Sequence, residues 1–231
     1  MIDRAEVAAD AARLDGARAE DVLAWAVARF PGKVALTLSF GGAGVVLAHM
    51  LAGLDRSVPV VFIDTGFLFP ETLAFKDVVV ERYGLRVVAL TPSTDVGPLY
   101  LTDPDACCEA RKVEPMRGAL PAYDAWVSGI RRDQSATRAG VGAIEYHEAS
   151  GHAVVKVHPL VAWTRDDVWR YIRAHDVPYH PLLTQGYASI GCWPCTRPTA
   201  PGEEERAGRW SASGKTECGL HTFTKRTGGN Q

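Results

Sequence analysis

The chain has 231 residues, 47% of them apolar and 23% charged, enough for one sizeable core with a functional extension and too few for a long multidomain assembly. Its 25 basic and 27 acidic side chains leave a formal charge of -2. That balance excludes a global field able to hold nucleic acid or an anionic membrane, so an anionic ligand has to be small and captured by a local group of Arg and Lys.

From Ala19 to Phe30 the apolar positions Val22, Trp25, Ala26 and Phe30 form a helical stripe that stops at Pro31-Gly32. Lys33 to Ser39 reads as a strand, Phe40 to Gly44 as a glycine-rich turn and Val45 to Leu54 as an apolar helix. Val58 to Ile63 is a second buried strand, closed by Asp64-Thr65-Gly66, and Pro70-Glu71-Thr72 opens the next helix with proline in its first turn. Leu85 to Leu90, Ala125 to Ile130 and Val154 to His158 are further strands, and Thr164 caps a helix that runs to about His175. Such alternation predicts an α/β fold, an open and mostly parallel sheet with helices on both faces. After Tyr187 the chain turns to Gly, Pro, Thr, Arg and Glu without a period, which predicts a domain over 1–187 and a flexible, irregular C-terminal extension over 188–231.

No apolar run reaches the roughly 18 residues needed to cross a bilayer. Met1 to Leu14 lack the apolar centre of an export signal. A cytoplasmic protein with no membrane or nucleic-acid partner is expected, and there the five cysteines count first as metal ligands or reactive thiols.

Ser39, Phe40, Gly41 and Gly42 lie between a strand and a helix, where backbone N–H groups and a helix N-terminus suit a phosphate. The same turn also serves geometry alone, and it matches neither the Walker nor the dinucleotide glycine pattern. Asp64, Thr65 and Gly66 fall at the carboxyl end of a strand, the edge where open α/β sheets bind ligands. Arg131, Arg132 and Arg138 follow another strand, and arginine forks fit phosphate and sulfate oxygens. A solvated charged loop is the plainer reading of that run. Cys107 and Cys108 are adjacent, and Cys192 and Cys195 form a C-x-x-C pair. Adjacent cysteines diverge, which favours an iron–sulfur cluster, with separate irons to ligate, over one tetrahedral zinc; zinc ranks second and disulfides behind it. Cys218, with Lys215 and His221 close in sequence, is a candidate nucleophile in a polar segment with little core to bury it.

Taken together these stretches resemble the sulfonucleotide reductases. The resemblance rests on Ser39-Phe40-Gly41, Asp64 to Thr72, Lys112-Val113-Glu114-Pro115-Met116, Arg131 to Ser135, Tyr179-His180-Pro181-Leu182 and Glu217-Cys218-Gly219-Leu220-His221, nearly the whole chain. It implies a fold of the adenine nucleotide alpha-hydrolase-like, PP-loop type and thioredoxin-dependent reduction of adenylyl sulfate, or of its 3′-phosphorylated form, to sulfite. It implies a [4Fe–4S] cluster on Cys107, Cys108, Cys192 and Cys195, with Lys112 beside cluster and substrate. Cys218 would attack sulfur, Arg206 and Arg209 would hold the substrate anion, and His221 would assist the departing group. A thioredoxin-like protein is the expected partner, and self-association is left open. One departure is the loop Gly41-Gly42-Ala43-Gly44-Val45, where many cluster-bearing members have Ser-Gly-Ala-Glu-Asp. The loop also lacks the Asp-Ser ending of ATP-cleaving relatives, which argues against an ATP-using sulfur-transfer or adenylating enzyme.

Overall fold

The computed structural model describes residues 2–149, 151–211 and 213–226. Strands β1 (Val34–Thr37), β2 (Val60–Ile63), β3 (Val87–Leu90), β4 (Ala125–Val127), β5 (Ile144–Ala149), β6 (His152–Val157) and β7 (Lys225–Arg226) form one sheet in the order β3-β2-β1-β4-β6-β5-β7. β1, β2, β3, β4 and β6 are mutually parallel, while β5 runs antiparallel to β6 and β7 antiparallel to β5. The near-continuous apolar runs of β1, β2 and β4 are what strands covered on both faces require.

One face packs on α1 (Arg4–Arg13), α2 (Ala19–Arg29), α3 (Gly42–Leu54), α4 (Pro70–Tyr83) and α7 (Arg165–Ala174), where Val22, Leu36, Val46, Leu47 and Val155 belong to the main core. Each helix has local cause. Asp3 caps α1, Pro70 opens α4 and Gly84 ends it in the left-handed conformation, and Thr164 with Asp167 makes a capping box on α7. The opposite face carries a smaller core of Ala35, Val61, Met116, Leu120, Trp126 and Val154. It is covered by Met116 of α6 (Glu114–Ala119), by Leu120 just after it, and by Leu220 and Phe223 of the C-terminal segment, while α5 (Pro104–Cys108) and a π-helical turn (Glu109–Val113) lead into α6.

One expectation changes here. The glycine turn shortens, because α3 begins at Gly42 rather than Val45, with Gly41 as its cap. The C-terminal extension is largely irregular, as the sequence predicts, and within it Leu220 and Phe223 pack on the second core and β7 lengthens the sheet.

Chain order reverses between β1 and β4, and at that point Gly129 abuts the start of α3: a Cβ there would lie 3.2 Å from the Gly44 nitrogen. Gly129→Ala must part backbone from backbone and is expected to cost about 1–3 kcal/mol. An unchanged urea midpoint for that variant would show that the gap between β4 and α3 is looser than this.

Candidate active site

A cavity of about 250 Å³ opens at the carboxyl ends of β1, β2 and β4, at the switch in strand order where such sheets take their ligands. Ser39, Gly41 and Gly42 reach it from the β1–α3 turn, Thr65 from the end of β2, and Arg131 and Arg138 from beyond β4. Lys112 comes from the π turn, and Arg206, Arg209, Cys218 and His221 from the C-terminal segment. Val168 and Ile172 of α7, with Leu183, stand within 4 Å of where a Gly42 Cβ would be, so the glycine keeps open a cleft walled by apolar groups.

Four predicted residues lie elsewhere. Phe40 is fully buried in the main core against Phe62, its backbone at φ 57 turning the chain out of β1. Asp64 and Gly66 line a separate recess, where the Asp64 carboxylate accepts the Gly66 N–H and closes the turn. Arg132 is exposed and donates to the Val141 carbonyl. All four make the turns that aim their neighbours, a role that sequence proximity to a motif does not distinguish from contact.

The arginines that do reach the cavity are largely countered by carboxylates. Arg131 pairs with Asp133 and Glu205, at 2.9 and 2.6 Å. The Glu217 carboxylate accepts from Arg138, at 2.8 and 2.9 Å, and from Arg206, at 3.0 Å. Glu205 and Glu217 were not among the expected site residues, since nothing in a sequence tells which acid a cavity arginine will choose. Trp210 is a third omission. It is buried, and the Arg206 and Arg209 guanidinium carbons stand 5.6 and 4.5 Å from its ring centre, so it serves as the plate on which both are arrayed.

Three cavity residues carry buried polar atoms with no hydrogen-bond partner: Arg206 Nε, Arg209 Nε and His221 Nδ1. Native interiors seldom tolerate such atoms, so several in one cavity call for a polar ligand. Burial pushes the Arg206 guanidinium down to about 10, and an anion beside it would offset that cost. His221 can assist the departing group only without charge. Burial, with Lys156 and Arg138 nearby, drives its pKa well below 6.5, so it is a neutral imidazole that can share a hydrogen bond but brings no charge. Lys215 is also spent, bound to Asp105.

Behind the cavity wall, Cys107, Cys108, Cys192 and Cys195 line one recess, and Lys112, Arg209 and Trp210 line both spaces. The first pair ends α5, just before the π turn, a distortion of the kind often found at functional sites. The second pair is fixed by the Trp193 N–H on the Phe67 carbonyl and the Trp210 N–H on the Cys195 carbonyl. None of the four is in a disulfide. The Thr65 hydroxyl lies 3.2 Å from the Cys192 sulfur, linking the β2 end to the same nest. Burial opposes the Lys112 charge, but the sulfurs of Cys192, Cys218 and Cys108 outweigh it and hold its pKa above the ordinary lysine value. Lys112 is thus a persistent cation between the cysteines and the cavity. Among the described residues no three His, Cys, Asp or Glu side chains converge on a single metal position, and the four cysteines line the same recess.

The phosphoadenosine phosphosulfate reductase domain model matches residues 33–198. A protein of Streptomyces coelicolor named adenosine 5'-phosphosulfate reductase is 44% identical over 216 residues, covering 90% of each chain. A protein of Gloeobacter violaceus named phosphoadenosine 5'-phosphosulfate reductase is 43% identical over 213 residues, covering 87% of this chain and 88% of its own. Among solved structures, the phosphoadenylyl-sulfate reductase of Candida auris in a phosphate complex superposes with a TM-score of 0.76 at 29% identity, over 85% of this chain and 98% of that one.

Proposed function

The chain belongs to the phosphoadenosine phosphosulfate reductase family, and on that premise we propose that it reduces adenylyl sulfate to sulfite and AMP through a covalent sulfur intermediate on Cys218. The observation that carries this reading is that Cys218 shares one cavity with Lys112, Arg206 and Arg209, which backs onto the four-cysteine nest.

The Cys218 thiolate attacks the sulfur of the bound sulfonucleotide. A sulfur–sulfur bond forms, the bridging sulfur–oxygen bond breaks, and its electron pair leaves on the AMP phosphate. Lys112, Arg206 and Arg209 meet the charge that grows on that phosphate, with the two unpartnered arginine Nε–H groups as ready donors. His221 contributes a hydrogen bond from a neutral ring. A thiolate of a thioredoxin-like dithiol then attacks the Cys218 sulfur, and sulfite departs with the sulfur–sulfur electron pair. The second thiol of the dithiol closes its own disulfide and frees Cys218, so the dithiol supplies both electrons.

The donor set fits a [4Fe–4S] group: four unpaired cysteines from two chain segments lining one recess, with a lysine against them. Such a group, when bound, supplies a fixed charge distribution beside Lys112, while Cys107, Cys108, Cys192 and Cys195 hold it. The 3′-phosphorylated nucleotide is the second reading, favoured by the name of the Gloeobacter violaceus relative.

Mixing iron-loaded protein with adenylyl sulfate in the absence of reductant tests the proposal. One SO₃ group per chain should appear on the peptide containing Cys218; its appearance on another cysteine, or on none, would overturn the assignment. The anion end has its own test. A Cβ at Gly191 would overlap the Arg209 guanidinium, so Gly191→Ala is expected to displace Arg209 and weaken AMP binding about tenfold, the loss of one charge-assisted contact worth ~1.4 kcal/mol. Unchanged affinity would remove Arg209 from the anion site.

A further inference from the structure

β6 reads His152-Ala153-Val154-Val155-Lys156-Val157, and its alternation sends Lys156 to the sheet face that the C-terminal segment covers. Register aligns it in a row between Trp126 of β4 and Glu145 of β5. His147 and, just beyond β6, His158 extend a polar strip on the same face; Ser128 meets His158 at 2.9 Å, and the Glu145 carboxylate lies 3.3 Å from His147. Lys156, Glu145, His147 and His158 do not line the cavity, and the chemistry above makes no use of them.

Lys156 is 2% exposed. Its Nζ donates to the His221 carbonyl at 2.7 Å and to the Thr224 hydroxyl at 3.3 Å, both on the segment that bears Cys218. Thr224 also meets His147 at 2.9 Å, and the His221 ring stacks on Trp126 with centres 5.5 Å apart. Cys218 is therefore bracketed. On its amino side Glu217 is held by Arg138 and Arg206, and on its carboxyl side the backbone is held by Lys156.

We infer that Lys156 is a positioning residue, which fixes the docked register of the segment and so delivers Cys218 to the cavity without touching the substrate. On this inference the strip also lets the segment undock. A segment that must present its sulfur first to a nucleotide and then to a protein thiol has to leave, and a sheet face lined by lysine, histidine and glutamate is more readily wetted than an apolar one.

The inference rests on the proposed role of Cys218, and its test separates the two. With iron-loaded full-length protein, Lys156→Met is compared with the parent for thiosulfonate formation in a single turnover, for AMP affinity, and for alkylation of Cys218 by iodoacetamide without nucleotide. Expected are a single turnover about tenfold slower, AMP affinity within about twofold, and alkylation several-fold faster, a split that general loss of fold does not give. Thr224→Val, which removes one partner on the segment and buries no new charge, should shift the same readouts in the same direction by less, and it decides the matter if Lys156→Met does not fold. Alkylation and single-turnover rates equal to the parent's in a folded variant would overturn the inference. A parent that forms no thiosulfonate would instead overturn the role of Cys218, while the alkylation comparison would still report on the dock.

Discussion

Cys218→Ser is expected to bind adenylyl sulfate with AMP-like affinity and to release sulfite at least about 10⁴-fold more slowly, since loss of a nucleophile removes the covalent route entirely. The reason lies in the second half of the reaction as much as the first. A serine hydroxyl is not ionised at neutral pH and attacks poorly. Even a sulfate ester formed on it would offer the reductant no sulfur–sulfur bond to exchange. The binding groups stay in place, because Arg206, Arg209 and Lys112 are held by Trp210, Glu217 and the sulfur nest rather than by the Cys218 side chain alone. Titration with AMP and a coupled sulfite assay measure both halves. Sustained turnover by the serine variant would assign the chemistry to another group.

Lys112→Gln carries the second largest effect, a loss of about 10²–10³ in kcat/KM, the range measured when one donor to a developing anion is removed. Lys112 sits in the π turn where α5 passes into α6, and the extra residue in that turn lets it face both the cavity and the cysteine recess. Glutamine keeps most of the length and the polarity but not the charge. The iron content of the variant has to be read beside its rate. Parent-like iron with a lowered rate supports a direct role toward the leaving phosphate, whereas a parent-like rate would make Lys112 a mere neighbour of the sulfurs.

The parallel sheet and its β1–α3 and β2–α4 units were legible because short apolar runs, glycine turns and a first-turn proline are local signals. The antiparallel β5 was not: Ile144-Glu145-Tyr146-His147 mixes charge into a strand, and that charge is accepted only because β6, β7 and the C-terminal segment bring partners to it. Lys156 was hidden for the same reason, a lysine inside a sheet whose contacts lie 65 and 68 residues away. At the site, residue types marked the four-cysteine nest, Lys112 and Cys218. They failed where role depends on direction, as for Phe40 and Arg132, which turn away from the cavity, and they did not show the burial that lowers the pKa of His221. Glu205 and Glu217 were invisible because their partners Arg131 and Arg138 are distant in sequence.

The most direct measurement is sulfite release from adenylyl sulfate and from its 3′-phosphorylated form, side by side, under anaerobic conditions with thioredoxin, on protein whose iron and labile sulfide have been quantified. The account predicts iron-loaded protein that releases sulfite with thioredoxin and prefers the unphosphorylated nucleotide. Sulfite from neither nucleotide, from protein carrying zinc in place of iron, would contradict it.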